Sequence, residues 1–402
     1  MTTPTIPANS LRPLPLLGTK ICVLSTIEIR TSRIVNRQCH ALARSGATVT
    51  LISPNPVESV HGNFRLRSFR SLRGALGKIV SSPLILAPAL GEKADIYHIH
   101  TFQLIPVAIV LKLFFRKRVV YDMFEDFPSM VLTRKWRPAW TRTVVSSLVH
   151  AVEAVACRRL DAIVTADPAV LRQYLKRGLG RRTARRMVFY NFPVIDLFSE
   201  IAPEDVAARC KCYDIVYSGG MSQRTGSFII LDAVEQIVQK GIRPKVLMFG
   251  YFDRPDFKAE FLNRAAEKKI DDCFEILARI PHERVPSLLS QARIGIVPLQ
   301  AIPKFLRNIP TKVFEYWACG LPIVASDLPP IRMFFRQGIY GHLVDPADAQ
   351  QFADAIYQLL ANPEKAQWMG EQARAAVRTR LNAAPEQHRL LRLYSTLLQD
   401  HS

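Results

Sequence analysis

Short apolar runs of strand length alternate along this chain with stretches whose apolar residues recur at helical spacing. The first half reads KICVLST (20–26), a helix from Arg33 to Ser45, ATVTLIS (47–53), FRLRSF (64–69), a long segment to Leu90 and ADIYHIH (94–100). RVVYDMF, DAIVTA and RMVFYNF continue the series to Phe192. Strands apolar on both faces and separated by helices predict βαβ units and a parallel sheet covered on both sides, with ligands at the carboxyl ends of the strands. The rhythm pauses in PVIDLFSEIAPEDVAARCK (193–211), which is more polar and acidic. It resumes with YDIVYSGG, a helix over Gly226–Lys240, PKVLMFG, a helix near Asp256–Lys269, CFEILAR, a short helix around Val285–Gln291 and RIGIVPL. A helix over Thr311–Cys319, LPIVAS, GHLVD and long helices to the end complete it. The expected fold is α/β, two doubly wound Rossmann-like domains with an interdomain cleft. Residues 1–19 are expected as a disordered tail, 20–195 as the first domain, 196–211 as a linker and 212–383 as the second domain. Residues 384–402 are expected as a helix packing back on the first domain.

Composition narrows the classes. With 49% hydrophobic and 22% charged residues among 402, the chain has enough apolar side chain for sizeable cores. The net charge of +20 is unevenly placed: residues 1–200 hold 29 Lys and Arg against 12 Asp and Glu, residues 201–402 only 25 against 22. A basic first half predicts an anionic partner there. Seven cysteines without a C-x-x-C pair indicate neither a disulfide framework nor a zinc site. The opening TTPTIPANSLRPLPLLG does not read as a signal peptide, and the longest charge-free run, Ile96–Leu111, is too short and polar to span a bilayer. A cytoplasmic protein is expected. No G-x-x-x-x-G-K-[ST], H-E-x-x-H, G-x-S-x-G or D-x-D occurs, so P-loop phosphoryl transfer, metal-dependent hydrolysis and esterase chemistry lack support, and no metal or cofactor is expected.

The most informative segment is PTKVFEYWACGLPIVAS, Pro310–Ser326. Pro310 and Thr311 start a helix that Thr311 can cap, and Gly320 with Pro322 stops it. Lys312 then lies in the first turn, beside free backbone N–H groups and the positive end of the helix dipole, an arrangement suited to a diphosphate. Glu315 lies one turn deeper on the same face, where a carboxylate can accept from vicinal ribose hydroxyls; the spacing alone fits a surface Lys–Glu pair equally well.

This segment resembles the nucleotide-sugar motif of GT-B glycosyltransferases, specifically the retaining glycosyltransferase family four, K-x-x-E-Y-x-x-x-G-x-P-[VI]-[VI]-A-S. TSRIVNRQCHALARSGATVTLIS, ADIYHIH, VVYDMFEDFP and YNFP are similar to the family's first domain. The resemblance runs from Lys20 onward and implies an acceptor-side first domain and a nucleotide-sugar-binding second one. It implies Glu315 on the donor ribose, Lys312 and Arg224 on the diphosphate, and the Arg279–Ile280–Pro281 backbone on the base. Two departures stand out: Arg307 replaces a glutamate eight positions before Glu315, and Phe124 replaces a histidine of Y-D-x-H-E.

In SGGMSQRTG, Ser218–Gly226, Gly219 and Gly220 let backbone approach a ligand and Arg224 offers a planar charged fork, although a plain strand-to-helix turn explains the glycines too. The donor set is thus Gly219, Gly220, Arg224, Arg279, Ile280, Thr311, Lys312, Val313 and Glu315. The catalytic set is Arg224, Lys312, Glu315 and His100, the last at a strand end and expected to face the cleft. On the acceptor side stand Glu28, Arg33, Asp122 and Glu125. Three clusters mix cations with Trp, Phe and Leu, namely RSFRSLRGALGKIVSSPLIL, LKLFFRKR and RKWRPAWTR, and suit adsorption to an anionic membrane surface. No nucleic-acid module is recognisable. The expected function is sugar transfer from a nucleotide diphosphate sugar to a lipid-linked or polysaccharide acceptor, with retention and without metal, at the cytoplasmic membrane face. An epimerase of the same fold and a sugar-binding module without turnover are the rivals.

Overall fold

The computed structural model describes residues 16–27, 33–54, 58–72, 74–123, 127–133, 138–176, 185–199 and 211–399. The chain divides into two units, residues 1–191 with 383–402, and residues 192–382. The division falls at Asn191, ahead of the expected linker 196–211, because Phe192 packs edge-on against Phe314 and Phe334 of the second unit.

The first unit holds β1 (Lys20–Leu24), β2 (Thr48–Ser53), β3 (Ser59–His61), β4 (Phe64–Ser68), β5 (Ile96–Ile99), β6 (Arg118–Met123), β7 (Ala162–Thr165) and β8 (Arg185–Val188). They form one sheet in the order β3-β4-β2-β1-β5-β6-β7-β8, parallel except for the edge hairpin of β3 with β4. The short β3 was not expected; its SVH has no apolar run to signal it. Side chains alternate across the sheet as strand geometry requires. Cys22, Leu24, Tyr97, Ile99, Val119, Tyr121 and Ile163 face one core. Over it lie α2 (Gly74–Ser81), α3 (Leu86–Gly91), α4 (Ile105–Leu113), α5 (Phe127–Thr133), α6 (Ala139–Arg159) and α7 (Pro168–Lys176), with Ala89, Ala108, Ala156 and Val170 among the contributors to that core. Ile21, Val23, Val120 and Val164 face the other core, built with α1 (His40–Arg44) and the final helix. The predicted helix Arg33–Ser45 begins as a wide π-helical stretch, Arg33–Cys39, before α1.

The second unit contains β9 (Tyr213–Met221), β10 (Val246–Phe252), β11 (Phe274–Ala278), β12 (Ala292–Val297), β13 (Ile323–Ser326) and β14 (Gly341–Val344), all parallel, in the order β11-β10-β9-β12-β13-β14. This is the doubly wound order that reverses between its first and fourth strands, here β9 and β12, where such sheets bind ligands. After α8 (Asp196–Ser199), its helices are α9 (Ser227–Gln239), α10 (Pro255–Glu267), α11 (Val285–Ser290), α12 (Thr311–Ala318), α13 (Pro329–Arg332), α14 (Ala349–Ala361) and α15 (Pro363–Thr379). The last helix, α16 (Ala383–Gln399), belongs to the first unit: Leu390, Leu391, Tyr394 and Leu397 complete the core over β1, β2 and β6. No helix among the described residues is long and apolar enough to cross a membrane.

Candidate functional site

In the second unit the carboxyl end of β9 meets the amino end of α12. Val313, Phe314, Tyr316 and Trp317 are buried, which anchors α12 and leaves Lys312 and Glu315, three apart, on the less covered face. The Ser218 N–H donates to the Tyr316 hydroxyl at 2.7 Å, pinning strand to helix. Gly295 on β12 admits the Tyr316 ring, which would lie 2.3 Å from any Cβ there. Lys312 Nζ sits 3.9 Å from the Tyr217 ring centroid and 3.2 Å from where a Gly219 Cβ would stand. Gly219 also has φ +120°, which makes it a glycine position. The Tyr217 hydroxyl donates to the Gly220 carbonyl at 2.6 Å, and Tyr251 packs over Gly220. Gly219, Gly220 and Lys312 are therefore brought together.

Thr311 does not cap the helix. Pro310 occupies the cap position in extended backbone, and its apolar ring has no atom that could accept a cap hydrogen bond; Thr311 is the first helical residue. The first-turn N–H groups thus stay uncapped by side chains. Val313 is buried, so only its backbone is open to a ligand role, and its N–H reaches the Pro310 carbonyl.

Arg224 stands in the turn after β9. Ser222 and Thr225 close that turn reciprocally, and Gly226 at φ +79° lies so close to Pro298 that a Cβ would fall 1.9 Å from its carbonyl oxygen. The loop is thereby fixed at the switch between β9 and β12. The Arg224 side chain is 66% exposed, with Nη2 3.9 Å from Asp253 Oδ2. Arg279 is exposed and Ile280 half-buried in the turn after β11, and from the same turn His282 Nε2 approaches Glu315 Oε1 at 3.5 Å. The sequence reading singled out neither His282 nor Tyr217. His282 was within reach, one residue beyond the expected base-binding loop; Tyr217, a strand residue, gave no signal.

The first unit holds a different cluster. Arg33 was expected at an accessible acceptor contact, yet it is buried: Nε and Nη2 donate to the two Asp122 oxygens at 3.1 and 2.8 Å, and Nη1 donates to the Phe189 carbonyl and to Asn191 Oδ1. Gln38 Nε2 adds a third donor to Asp122 at 2.8 Å. His98, on the same sheet face as Asp122, has its Nδ1 in hydrogen-bond contact with the Tyr394 hydroxyl of α16 at 2.6 Å. His100 stacks on His98, ring centroids 4.4 Å apart, and has no exposed surface, so the expectation of an open position for it fails; even spacing along the chain from His98 sends it to the same covered face. Both His100 ring nitrogens and His98 Nε2 lack a hydrogen-bond partner.

Burial lowers the His98 pKa to about 4 and that of His100 well below its ordinary value, against the pull of Asp122. For Asp122 burial acts upward, but Arg33, then His100 and His98, outweigh it and hold the carboxyl at about 2. The cluster is a compensated Arg–Asp pair with two neutral imidazoles. One ligand atom from each of His98, His100 and Asp122 lies within 4.8 Å of the others, but the carboxylate is already committed to Arg33 and Gln38. Glu28, Glu125 and Phe124 lie outside the described residues.

Two families match the chain: Glycosyl transferase 4-like domain over residues 31–191 and Glycosyl transferases group 1 over residues 200–376. With both domains present on two Rossmann-like sheets, the chain belongs to the GT-B glycosyltransferases and resembles their family four. The fold is shared with sucrose-phosphate synthase from Thermosynechococcus elongatus, at TM-score 0.74 and 18% identity over 94% of this chain and 99% of that one. It is also shared with Anabaena HepE in complex with UDP, at TM-score 0.69 and 16% identity over 94% and 100%. Among curated relatives, the amylovoran biosynthesis glycosyltransferase AmsK of Erwinia amylovora is 26% identical over 163 residues, 40% of this chain and 39% of AmsK. A phosphatidyl-myo-inositol mannosyltransferase of Mycobacterium tuberculosis is 27% identical over 178 residues, 43% of this chain and 44% of that protein. The chain thus matches under half the length of either relative.

Proposed function

We propose that this protein transfers a sugar from a nucleotide diphosphate sugar to a lipid-linked or polysaccharide acceptor, with retention at the anomeric carbon and without a divalent metal, on an anionic membrane surface at its cytoplasmic face. The observation that carries the reading is Lys312, at the uncapped amino end of α12, set against Gly219 at the end of β9, with Glu315 one turn deeper. In the reaction the bond from the anomeric carbon to the diphosphate oxygen breaks, a bond to the acceptor hydroxyl oxygen forms, and the acceptor proton departs. Negative charge grows on the leaving diphosphate. Arg224, Lys312 and the uncapped amino end of α12 at Thr311 are preorganised positive and dipolar groups for it. Gly219 and Gly220 offer close backbone approach, Glu315 accepts from the ribose, and Arg279 and Ile280 border the base. His100, buried beside Asp122, positions rather than touches substrate in this reading. The UDP complex of HepE favours a nucleotide donor, and the relatives' names favour polysaccharide or lipid acceptors.

A panel of nucleoside diphosphates in thermal-shift measurements tests the site, since a ligand held only by the folded state raises Tm by mass action, about 2.7 kcal/mol at a hundred times Kd. One base is expected to stand out, and the matching sugar nucleotide to be turned over in the presence of chelator. No shift with any diphosphate, together with no donor turnover, would overturn the reading.

A further inference from the structure

We propose that the outer face of α6, continued by the end of α4, is the element through which the first unit rests on anionic lipid, with apolar side chains entering the interface. The inference rests on the membrane-side reading above and names its contact. Trp140, Val144, Leu148 and Val155 follow one another at helical spacing on α6, 70%, 59%, 63% and 50% exposed. Scattered exposed apolar residues are ordinary on soluble proteins; a stripe running the length of a helix is not. The opposite face is fixed: Ala156 and Cys157 enter the core, and the helix's one acid, Glu153, is buried and accepts from the Tyr121 hydroxyl at 3.1 Å. The outer face therefore carries no negative charge.

At its carboxyl end the stripe meets α4. Lys112 Nζ binds Asp161 Oδ1 at 2.6 Å, drawing the ends of the two helices together. There α4 stops in a left-handed turn, with Arg116 at φ +51° and the Lys117 N–H reaching back to the Leu111 carbonyl. This leaves Leu113 and Phe114 46% and 78% exposed. Among the described residues, the exposed charges at that end are Arg116, Arg158 and Arg159, all cationic. An apolar stripe with cations at its edge and no acid on its face complements an anionic bilayer surface, and a helix too polar overall to cross a membrane can lie in the interface plane. Arg118, by contrast, is drawn inward to the Leu398 carbonyl of α16 and is not part of the face.

The test uses the full chain with phosphatidylglycerol-containing vesicles and with phosphatidylcholine vesicles. Trp140→Ser with Leu148→Ser is expected to lower binding to the anionic vesicles about ten- to a hundredfold, the scale of re-exposing buried apolar side chains. Arg116→Ser with Lys117→Ser is expected to lose less, and only at low salt. Wild-type Tm and nucleotide shift in both variants are expected, because all four side chains lie outside the cores. Unchanged vesicle binding of the Trp140/Leu148 variant, with the basic variant impaired, overturns the apolar contact while leaving a membrane-side enzyme standing. Absence of wild-type binding to either vesicle removes the membrane reading itself. A concentration-dependent dimer that the Trp140/Leu148 variant abolishes, with vesicle binding intact, overturns the proposal in favour of a second copy.

Discussion

The two units carry charge in opposite ways. Around Arg33 and Asp122 every charge is buried and answered within the protein, and the histidines beside it are held neutral. Around Arg224 and Lys312 the cations stand at the end of a sheet, one largely exposed and the other resting on a tyrosine ring, with no carboxylate close enough to Lys312 to form an ion pair among the described residues. A self-satisfied cluster holds a fold together; cations left short of anions are held ready for one. Sequence pattern treats an Arg after β1 and an Arg after β9 alike, and burial separates them.

The largest effect is expected where the closed cluster is opened. Arg33→Met leaves Asp122 as a buried carboxylate without its cation, which costs about 3–5 kcal/mol, whereas a surface pair costs about 1 kcal/mol or less. Denaturant unfolding of the first unit measures it, and a loss under 1 kcal/mol would make Arg33 an accessible ligand-contact residue after all.

Next comes the open cluster. Arg224→Ala should slow transfer by about 10²–10³-fold with little change in Tm, by analogy with removal of one preorganised donor, and Arg224→Lys should recover only part of it. Activity lost to chelator and restored by magnesium or manganese would assign the charge neutralisation to a metal instead.

Glu315→Gln is expected to weaken nucleoside diphosphate binding about ten- to a hundredfold, the loss of one charge-assisted hydrogen bond, and to have far less effect on an analogue without ribose hydroxyls. Equal losses in calorimetric titration of the two ligands would remove Glu315 from the ribose.

The smallest effect separates the units by pH. His98 and His100 take up protons more readily unfolded than folded, so their contribution to stability is complete above about pH 6.5 and is lost as pH falls toward 4 for His98 and beyond for His100. Asp122, depressed to about 2, adds stability present above about pH 4 and lost below it. The acid dependence of Tm should flatten between pH 6.5 and 4 in His98→Gln, while nucleotide binding by the second unit at pH 7 stays unchanged.

Much of this was legible along the chain. Apolar runs separated by helical stretches announced two doubly wound sheets, and the Lys312–Glu315 spacing placed both side chains on one helix face, because strand and helix periods are local properties of the backbone. The edge strand Ser59–His61 was not legible, since its three residues acquire strand character only by pairing with Phe64–Leu66. Nor was the place of Thr311, where Pro310 took the cap position.

The sequence by itself determined the class of fold, the division into a basic and a near-neutral half, and which segments could present a lysine or arginine at a strand end, because these follow from periodicity, composition and chain direction. Only the tertiary structure decided which cations remain available. Whether Arg33 and His100 are sealed or stand in the open depends on what distant segments bring to them, Asp122 and Phe189 to Arg33 and His98, itself bonded to Tyr394 of α16, to His100, and whether Lys312 sits on Tyr217 depends on two strands and a helix meeting. Solvent exposure and charge compensation are sums over neighbours in space, and spacing along one chain does not contain them.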